Sequence, residues 1–311
     1  MRLVAIVRMY NEIKTGHAKR FFEHWKEWGA DALLVLDDCS DDGTYELAKQ
    51  FTPYVWRRIE RYTRFREMEN SIFLIERCTD IGADYILFMD ADEVLTKGAG
   101  ELIKNKWLSI MDQSDFSALN FTTYSLWKTP RYRRWDSLWD CEMRFPRIWK
   151  NKDLHYEVPG PNQLHALQAP LQVYRHWYPV PDQELAILHY AYASQKDIED
   201  RFQHYVEIDG KHIGWYPRIM DETGLVLERI PNDRYPLDLV PGHESEYYPG
   251  MSLETVHKIC EAIGKACWKD RPIEEIDTWW ESTRHTEEVR TKLVFERPGR
   301  DFIFPKGLGD G

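Results

Sequence analysis

Apolar and polar positions alternate in blocks along the first 125 residues. Residues 3–7, 32–36 and 85–89 are short, nearly continuous apolar runs of strand length. Between them lie segments with helical spacing. Residues 12–28 place Phe21, Phe22, Trp25 and Trp28 three and four apart. Residues 44–51 form a second predicted helix. Residues 66–82 form a third, with Ile72, Ile75 and Cys78 on one side, and residues 99–111 a fourth. Residues 54–57 and 117–124 complete the series as strands. Strands alternating with helices predict an α/β fold, a Rossmann-like, mostly parallel sheet flanked by helices.

Past residue 125 the pattern changes. Residues 125–185 are irregular and rich in Trp, Arg and Pro. Residues 186–190 read as one more strand and 195–208 as an amphipathic helix. Residues 214–250 are loop-rich, residues 253–268 and 273–293 predict two helices, and the tail from Pro298 is glycine-rich.

The polar residues that interrupt the first blocks fall where predicted strands end. Arg8 to Glu12 follow the first strand, Asp37 to Asp42 the second, and Asp90 to Glu93 the fourth. Parallel sheets bind ligands beyond the carboxyl ends of their strands, so these clusters converge on one crevice. In Phe88-Met89-Asp90-Ala91-Asp92-Glu93 an apolar strand delivers two carboxylates into a loop. Mn²⁺ and Mg²⁺ prefer such oxygen ligands and leave positions open for phosphate oxygens. In the second cluster, Ser40 or Asp41 is placed to cap the next helix. Asp37 or Asp38 is placed to accept a hydrogen bond from a base imide or a ribose hydroxyl. No GxGxxG follows the first strand, which argues against a nicotinamide or flavin cofactor.

Charge narrows the partners. The 311 residues carry a formal net charge of −11, which disfavours a protein built to grip nucleic-acid phosphates. Two basic clusters, Arg57, Arg58, Arg61, Arg64, Arg66 and Arg131, Arg133, Arg134, keep a nucleic-acid acceptor open as a minority reading; as a rule such clusters are solvated faces. The five scattered cysteines form no CxxC pair, and reduced thiols imply a cytoplasmic location. The opening apolar run is too short for a transmembrane segment.

These motifs, in this order, resemble glycosyltransferase family 2 and its relatives with the GT-A fold. The residues that carry the likeness are Val7-Arg8-Met9-Tyr10-Asn11-Glu12, Asp37 through Thr44, Arg66 through Asn70, and Phe88 through Glu93. The resemblance implies a nucleotide-diphosphate sugar donor, a UDP-sugar first, and inversion at the anomeric carbon. It implies donor binding by Arg8, Tyr10, Asn11, Glu12, Asp38, Arg66, Asp90 and Ala91. It further implies a metal site, for Mn²⁺ or Mg²⁺, built from Asp92 with Asp90 nearby and completed by His189 in Ile187-Leu188-His189-Tyr190. The GT-A unit is expected over residues 1–210, with 1–125 holding the donor and 126–210 facing the acceptor, and residues 211–311 forming a loop-rich, helical extension.

Inverting transfer needs a base for the acceptor hydroxyl, whether glycan, glycolipid or another alcohol. The His-Glu pair common in such enzymes is replaced here by His165-Ala166, so Asp140 and Glu142 become the candidates, with Asp136 and Glu157 behind them. Trp127, Trp135 and Trp139 are available either as a sugar-stacking wall or as core. Two other readings use the same residues. A sugar nucleotidyltransferase would need a glycine-rich loop after the first strand, which is absent. A non-catalytic nucleotide-sugar-binding domain would fit the missing pair.

Overall fold

The structure is a computed structural model that describes residues 1–59, 67–134, 146–152, 169–174, 176–194, 196–198, 200–201 and 227–242. In chain order the elements are β1 (Leu3–Met9), α1 (Glu12–Thr15), α2 (His17–His24), β2 (Ala32–Asp37), α3 (Thr44–Phe51), β3 (Val55–Arg57), α4 (Glu67–Asp80), β4 (Tyr85–Phe88) and β5 (Glu93–Leu95). Then come α5 (Ala99–Leu102), α6 (Leu108–Gln113), β6 (Ala118–Asn120), β7 (Thr122–Trp127), β8 (Thr129–Arg134), β9 (Pro146–Lys150), β10 (Trp177–Pro179), β11 (Ala186–His189) and β12 (Leu227–Arg229).

Two sheets result. The larger has the order β10-β6-β9-β4-β1-β2-β3. Its core of β3, β2, β1 and β4 is parallel, and β9 runs antiparallel between β4 and β6. The smaller has the order β12-β8-β7-β11-β5. The expected α/β class and mostly parallel central sheet are therefore present.

The central strands are apolar up to their carboxyl ends because both of their faces are covered. Leu3, Ala5, Val7 and Met9 of β1 pack into one cluster with α2, α3 and residues 99–111; Val4 and Ile6 face the opposite cluster with α4. β2 and β4 divide in the same way. Leu33, Val35, Tyr85 and Leu87 face one side; Leu34, Leu36, Ile86 and Phe88 face the other. Arg8 continues the face of Val4 and Ile6, and this parity later aims it across β4.

Several expectations need correction. The single helix over residues 12–28 is broken at Gly16, whose φ of 78° ends α1, and it closes in a 3₁₀ turn at Trp25–Trp28. Its aromatic stripe is nevertheless buried as read. The strand expected over 117–124 is two strands in different sheets, β6 and β7, separated at Phe121. The "irregular" stretch contains β8, β9 and β10. Ser40 and Asp41 do not cap α3. Asp42 accepts the Thr44 N–H at 3.0 Å, while the Ser40 hydroxyl accepts from the Asn11 N–H and Asp41 from Lys14 of α1.

Trp127 lies in the core, 0% exposed, beneath the Arg134 guanidinium at 4.5 Å, so it forms no stacking wall. Arg131, Arg133 and Arg134 are buried rather than solvated. Arg131 donates to Asn232 at 2.6 Å and to the Pro241 and Gly242 carbonyls, and Arg133 pairs with Glu228 and Asp182. Trp135, Trp139, the extension past residue 242 and the 210/211 boundary lie outside the described residues.

Candidate functional site

The strand register brings the polar clusters to one edge. Met9 stands opposite Asp37, and Ile6 opposite Phe88. The Asp38 N–H donates to the Met9 carbonyl at 2.8 Å, which carries the β1–β2 pairing one residue past β2. From β1, Arg8 reaches across Phe88, 5.1 Å from its ring centre, to within 3.8 Å of Asp90 Oδ1. Asp38 and Asp90 thus follow strands that flank β1 at the same edge of the sheet.

The loop after β1 is locked to the loop after β2. Asn11 takes a left-handed conformation (φ 55°), and its backbone N–H donates to Ser40 Oγ at 2.9 Å. Its side-chain carbonyl accepts the Asp41 N–H at 2.9 Å. Thr44 Oγ1 accepts the Glu12 N–H at 2.9 Å and donates to Asp42 at 2.6 Å.

The two aspartates ending β2 differ. Asp37 is buried; it accepts the Ser40 N–H at 3.0 Å and lies 3.5 Å from Arg57 Nε. Burial pushes its carboxyl above the ordinary range despite Ser40 and Arg57. Asp37 therefore organises the loop. Asp38 is about one-third exposed and faces Arg58 Nε at 3.7 Å. Arg58 is itself fixed by Asn70 at 2.6 Å and lies near Glu69.

The carboxylates after β4 also divide. Asp90 is about one-third exposed and lies between two guanidiniums, Arg8 at 3.8 Å and Arg147 at 3.7 Å. Asp92 is buried. Its Oδ2 lies 3.3 Å from His189 Nε2 and 2.5 Å from Arg201 Nη1. Burial opposes its ionisation, but the charges of His189 and Arg201, with His17 behind, hold its carboxyl well below the usual range. His189 is placed by β11, whose register sets it opposite Glu93. Glu93 is buried and accepts both Arg147 nitrogens, at 2.9 and 2.7 Å. Burial is the dominant influence on the Glu93 carboxyl and pushes it up to about 7.

The profile of glycosyl transferase family 2 matches residues 5–158. This stretch belongs to glycosyl transferase family 2. It contains the Arg8–Glu12, Asp37–Thr44 and Asp90–Glu93 clusters, on a fold with the GT-A arrangement expected from the motifs. No curated protein gives a significant match.

Solved structures resemble the chain distantly. They include S. aureus TarS 1–349, at 15% identity over 72% of this chain and 73% of that one, with a TM-score of 0.38. The same protein with UDP-GlcNAc aligns at 17% identity over 58% of this chain and 56% of that one (TM-score 0.36). Glucosyl-3-phosphoglycerate synthase from Mycobacterium tuberculosis with Mn²⁺ and UDP-Glc aligns at 14% identity over 39% and 43% (TM-score 0.28). This chain spans less than two thirds of the latter two chains.

Within the family 2 domain, Arg8, Asn11, Glu12, Asp38, Asp90, Ala91 and Asp92 lie at or just past the carboxyl ends of β1, β2 and β4, and His189 from β11, beyond the matched stretch, meets Asp92. Glu12 is turned toward His17, whose Nδ1 lies 3.3 Å from Glu12 Oε2. Arg66, Asp140 and Glu142 lie outside the described residues. Arg147 and Arg201 carry no signal as site residues in the sequence, because their carboxylate partners, Glu93 and Asp92, lie 54 and 109 residues away. His17 was also missed, although its position five residues after Glu12 was available as a signal.

The residues fit a divalent ion in one respect. Two neighbouring ligands of an octahedral ion, each about 2.1 Å from it, lie roughly 3 Å apart. The 3.3 Å between His189 Nε2 and Asp92 Oδ2 is close to that spacing. Among the described residues no group of three or more His, Cys, Asp or Glu is arranged to hold a metal ion. Asp90, lying between Arg8 and Arg147, is the weaker candidate ligand.

Proposed function

We propose that this family 2 domain transfers a sugar from a nucleotide-diphosphate sugar, a UDP-sugar first, to an acceptor hydroxyl with inversion, assisted by Mn²⁺ or Mg²⁺ at Asp92 and His189. The observation that carries the reading is the His189–Asp92 pair, 3.3 Å apart on the sheet edge that also holds Asp38 and Asp90. Asp38, held toward solvent by Arg58, accepts from the base imide, a pairing that suits uracil. Arg8, Tyr10, Asn11 and Glu12 line the nucleoside side, and Asp90 with Ala91 faces the ribose and sugar hydroxyls.

When bound, a divalent ion acts as a Lewis acid toward the leaving diphosphate. Arg201, the cation now on Asp92, is placed to meet diphosphate oxygens once that carboxylate is otherwise engaged. Asp140 and Glu142 are our candidates for the base that takes the proton from the acceptor.

A glycan, glycolipid or other hydroxyl compound is the expected acceptor. A nucleic acid is disfavoured by the net charge of −11 and by the internal partners of Arg57, Arg131 and Arg133. Among the described residues no helix is long and apolar enough to cross a membrane. Free thiols at Cys39 and Cys78 suit the cytoplasmic location we propose. We retain residues 1–210 as the transferase unit, with residues 211–311 as its extension.

The test is hydrolysis of a panel of UDP-, GDP-, ADP- and dTDP-sugars with Mn²⁺ or with EDTA. Metal-dependent release of nucleoside diphosphate from at least one donor is expected. Release from none, together with no calorimetric binding of any donor, overturns the reading.

A further inference from the structure

We propose that Glu93 and Arg147 form a positioning pair that ties the two sheets together at the site and sets the Asp90 carboxylate against the Asp92–His189 pair. The inference rests on the reading of this edge as the donor site.

Three geometric facts converge. First, the pair spans the sheets. Glu93 opens β5, which pairs with β11 of the smaller sheet directly opposite His189. Arg147 lies in β9 of the larger sheet, one step beyond the Leu87–Ile148 pairing with β4. The two-pronged bond at 2.9 and 2.7 Å therefore joins elements 54 residues apart, with both side chains almost fully buried.

Second, both partners also touch Asp90. Glu93 Oε2 accepts the Asp90 N–H at 2.9 Å, and Arg147 Nη1 lies 3.7 Å from Asp90 Oδ2. One member holds the Asp90 backbone and the other faces its carboxylate. Third, β4 is flanked on one face by two arginines, Arg8 from β1 and Arg147 from β9, which lie 5.1 and 5.8 Å from the Phe88 ring centre. Asp90 leaves β4 between them, with a cation on each side. Its orientation is then fixed by strands on both sides rather than by its own loop.

A buried ion pair is a poor device for stability alone. Its desolvation is costly, and an apolar pair of similar size often holds a fold as well. A planar, two-pronged guanidinium–carboxylate contact instead fixes direction. At the junction of two sheets, direction is what two halves of one site need. A displacement of about 1 Å at such a junction is enough to spoil a binding constellation.

The test compares UDP binding by calorimetry, in Mn²⁺ and in EDTA, for the full chain and its variants. The double variant Glu93→Met with Arg147→Met removes both charges at similar volume. We expect its thermal midpoint to stay near that of the parent while UDP affinity falls about tenfold or more, the scale on which partners that orient ligating groups act. In an Asp90→Ala background the same double change should cost almost nothing further, because a pair acting through Asp90 has nothing left to position.

Unchanged UDP affinity in the double variant, or a full additional loss in the Asp90→Ala background, overturns the proposal. If the double variant does not fold, Glu93→Gln and Arg147→Lys replace it. Each keeps the shape or the charge but not the two-pronged bond, and a folded single variant that binds UDP as the parent does is equally fatal. A parent chain that binds no UDP in either buffer defeats the functional reading itself. A parent that binds and variants that bind equally well defeat only this inference.

Discussion

Asp92→Asn keeps the side-chain shape and removes its charge. The carboxylate is 7% exposed and faces His189 Nε2 at 3.3 Å and Arg201 Nη1 at 2.5 Å. A hydrogen bond to a charged partner contributes about 1.5–3 kcal/mol. Water reaches part of Arg201, so the lower end applies, about 1.5–2 kcal/mol, equivalent to a drop in Tm of roughly 2–3 °C for a chain of 311 residues. The ligand response should change more. UDP and Mn²⁺ at about a hundredfold over Kd stabilise a binding protein by about 2.7 kcal/mol. If Asp92 is the ion's carboxylate, the Mn²⁺-dependent part of that gain disappears in the variant, while any gain from UDP in EDTA remains. Thermal unfolding in EDTA, in Mn²⁺, in UDP and in both together separates the two effects. An Asp92→Asn protein that keeps the full Mn²⁺-dependent gain would refute the assignment.

Asp38→Asn should weaken UDP about tenfold, equally in Mn²⁺ and in EDTA, because it removes a charged acceptor worth roughly 1.5 kcal/mol without touching Asp92; calorimetry checks this, and unchanged affinity removes Asp38 from the base pocket. Gly100→Ala should destabilise by the upper end of about 1–3 kcal/mol, since its Cβ would stand 2.1 Å from the Glu27 carbonyl oxygen where residues 99–102 cross the Trp25–Trp28 turn; an unshifted Tm contradicts that close approach. Burial pushes the Tyr235 hydroxyl, which donates to the Pro130 carbonyl at 2.5 Å, well above its ordinary value. The folded state therefore holds that proton more tightly than the unfolded chain, and stability present below pH 10 is lost as pH rises past it. Tyr235→Phe should be less stable than the parent at pH 8 and lose less stability between pH 8 and pH 11; parallel losses in urea titrations would contradict this.

What was legible in the sequence was what local chemistry determines. β1, β2 and β4 announced themselves because burial on both faces demands an unbroken apolar run. The carboxylates after them stood out because a parallel sheet leaves its strand ends open. β8 was hidden by its composition: Thr129–Arg134 contains three arginines, and their burial is made tolerable by distant partners such as Asp182, Glu228, Asn232 and the Pro241 carbonyl. The split between β6 and β7 was hidden because Asn120 and Thr122 continue one apparent strand while pairing in different sheets. Arg147 and Arg201 were invisible as site residues for a related reason. An arginine's role is set by the carboxylate it meets, and Glu93 and Asp92 lie 54 and 109 residues away.

The most direct measurement is a crystal of the chain grown with UDP and Mn²⁺, with data collected to record manganese anomalous scattering. The account predicts one strong peak about 2.2 Å from both Asp92 Oδ2 and His189 Nε2, with diphosphate oxygens completing the shell and Arg201 turned away from Asp92. UDP bound in the crevice with no manganese peak at that pair, or with the peak on other residues, would contradict it.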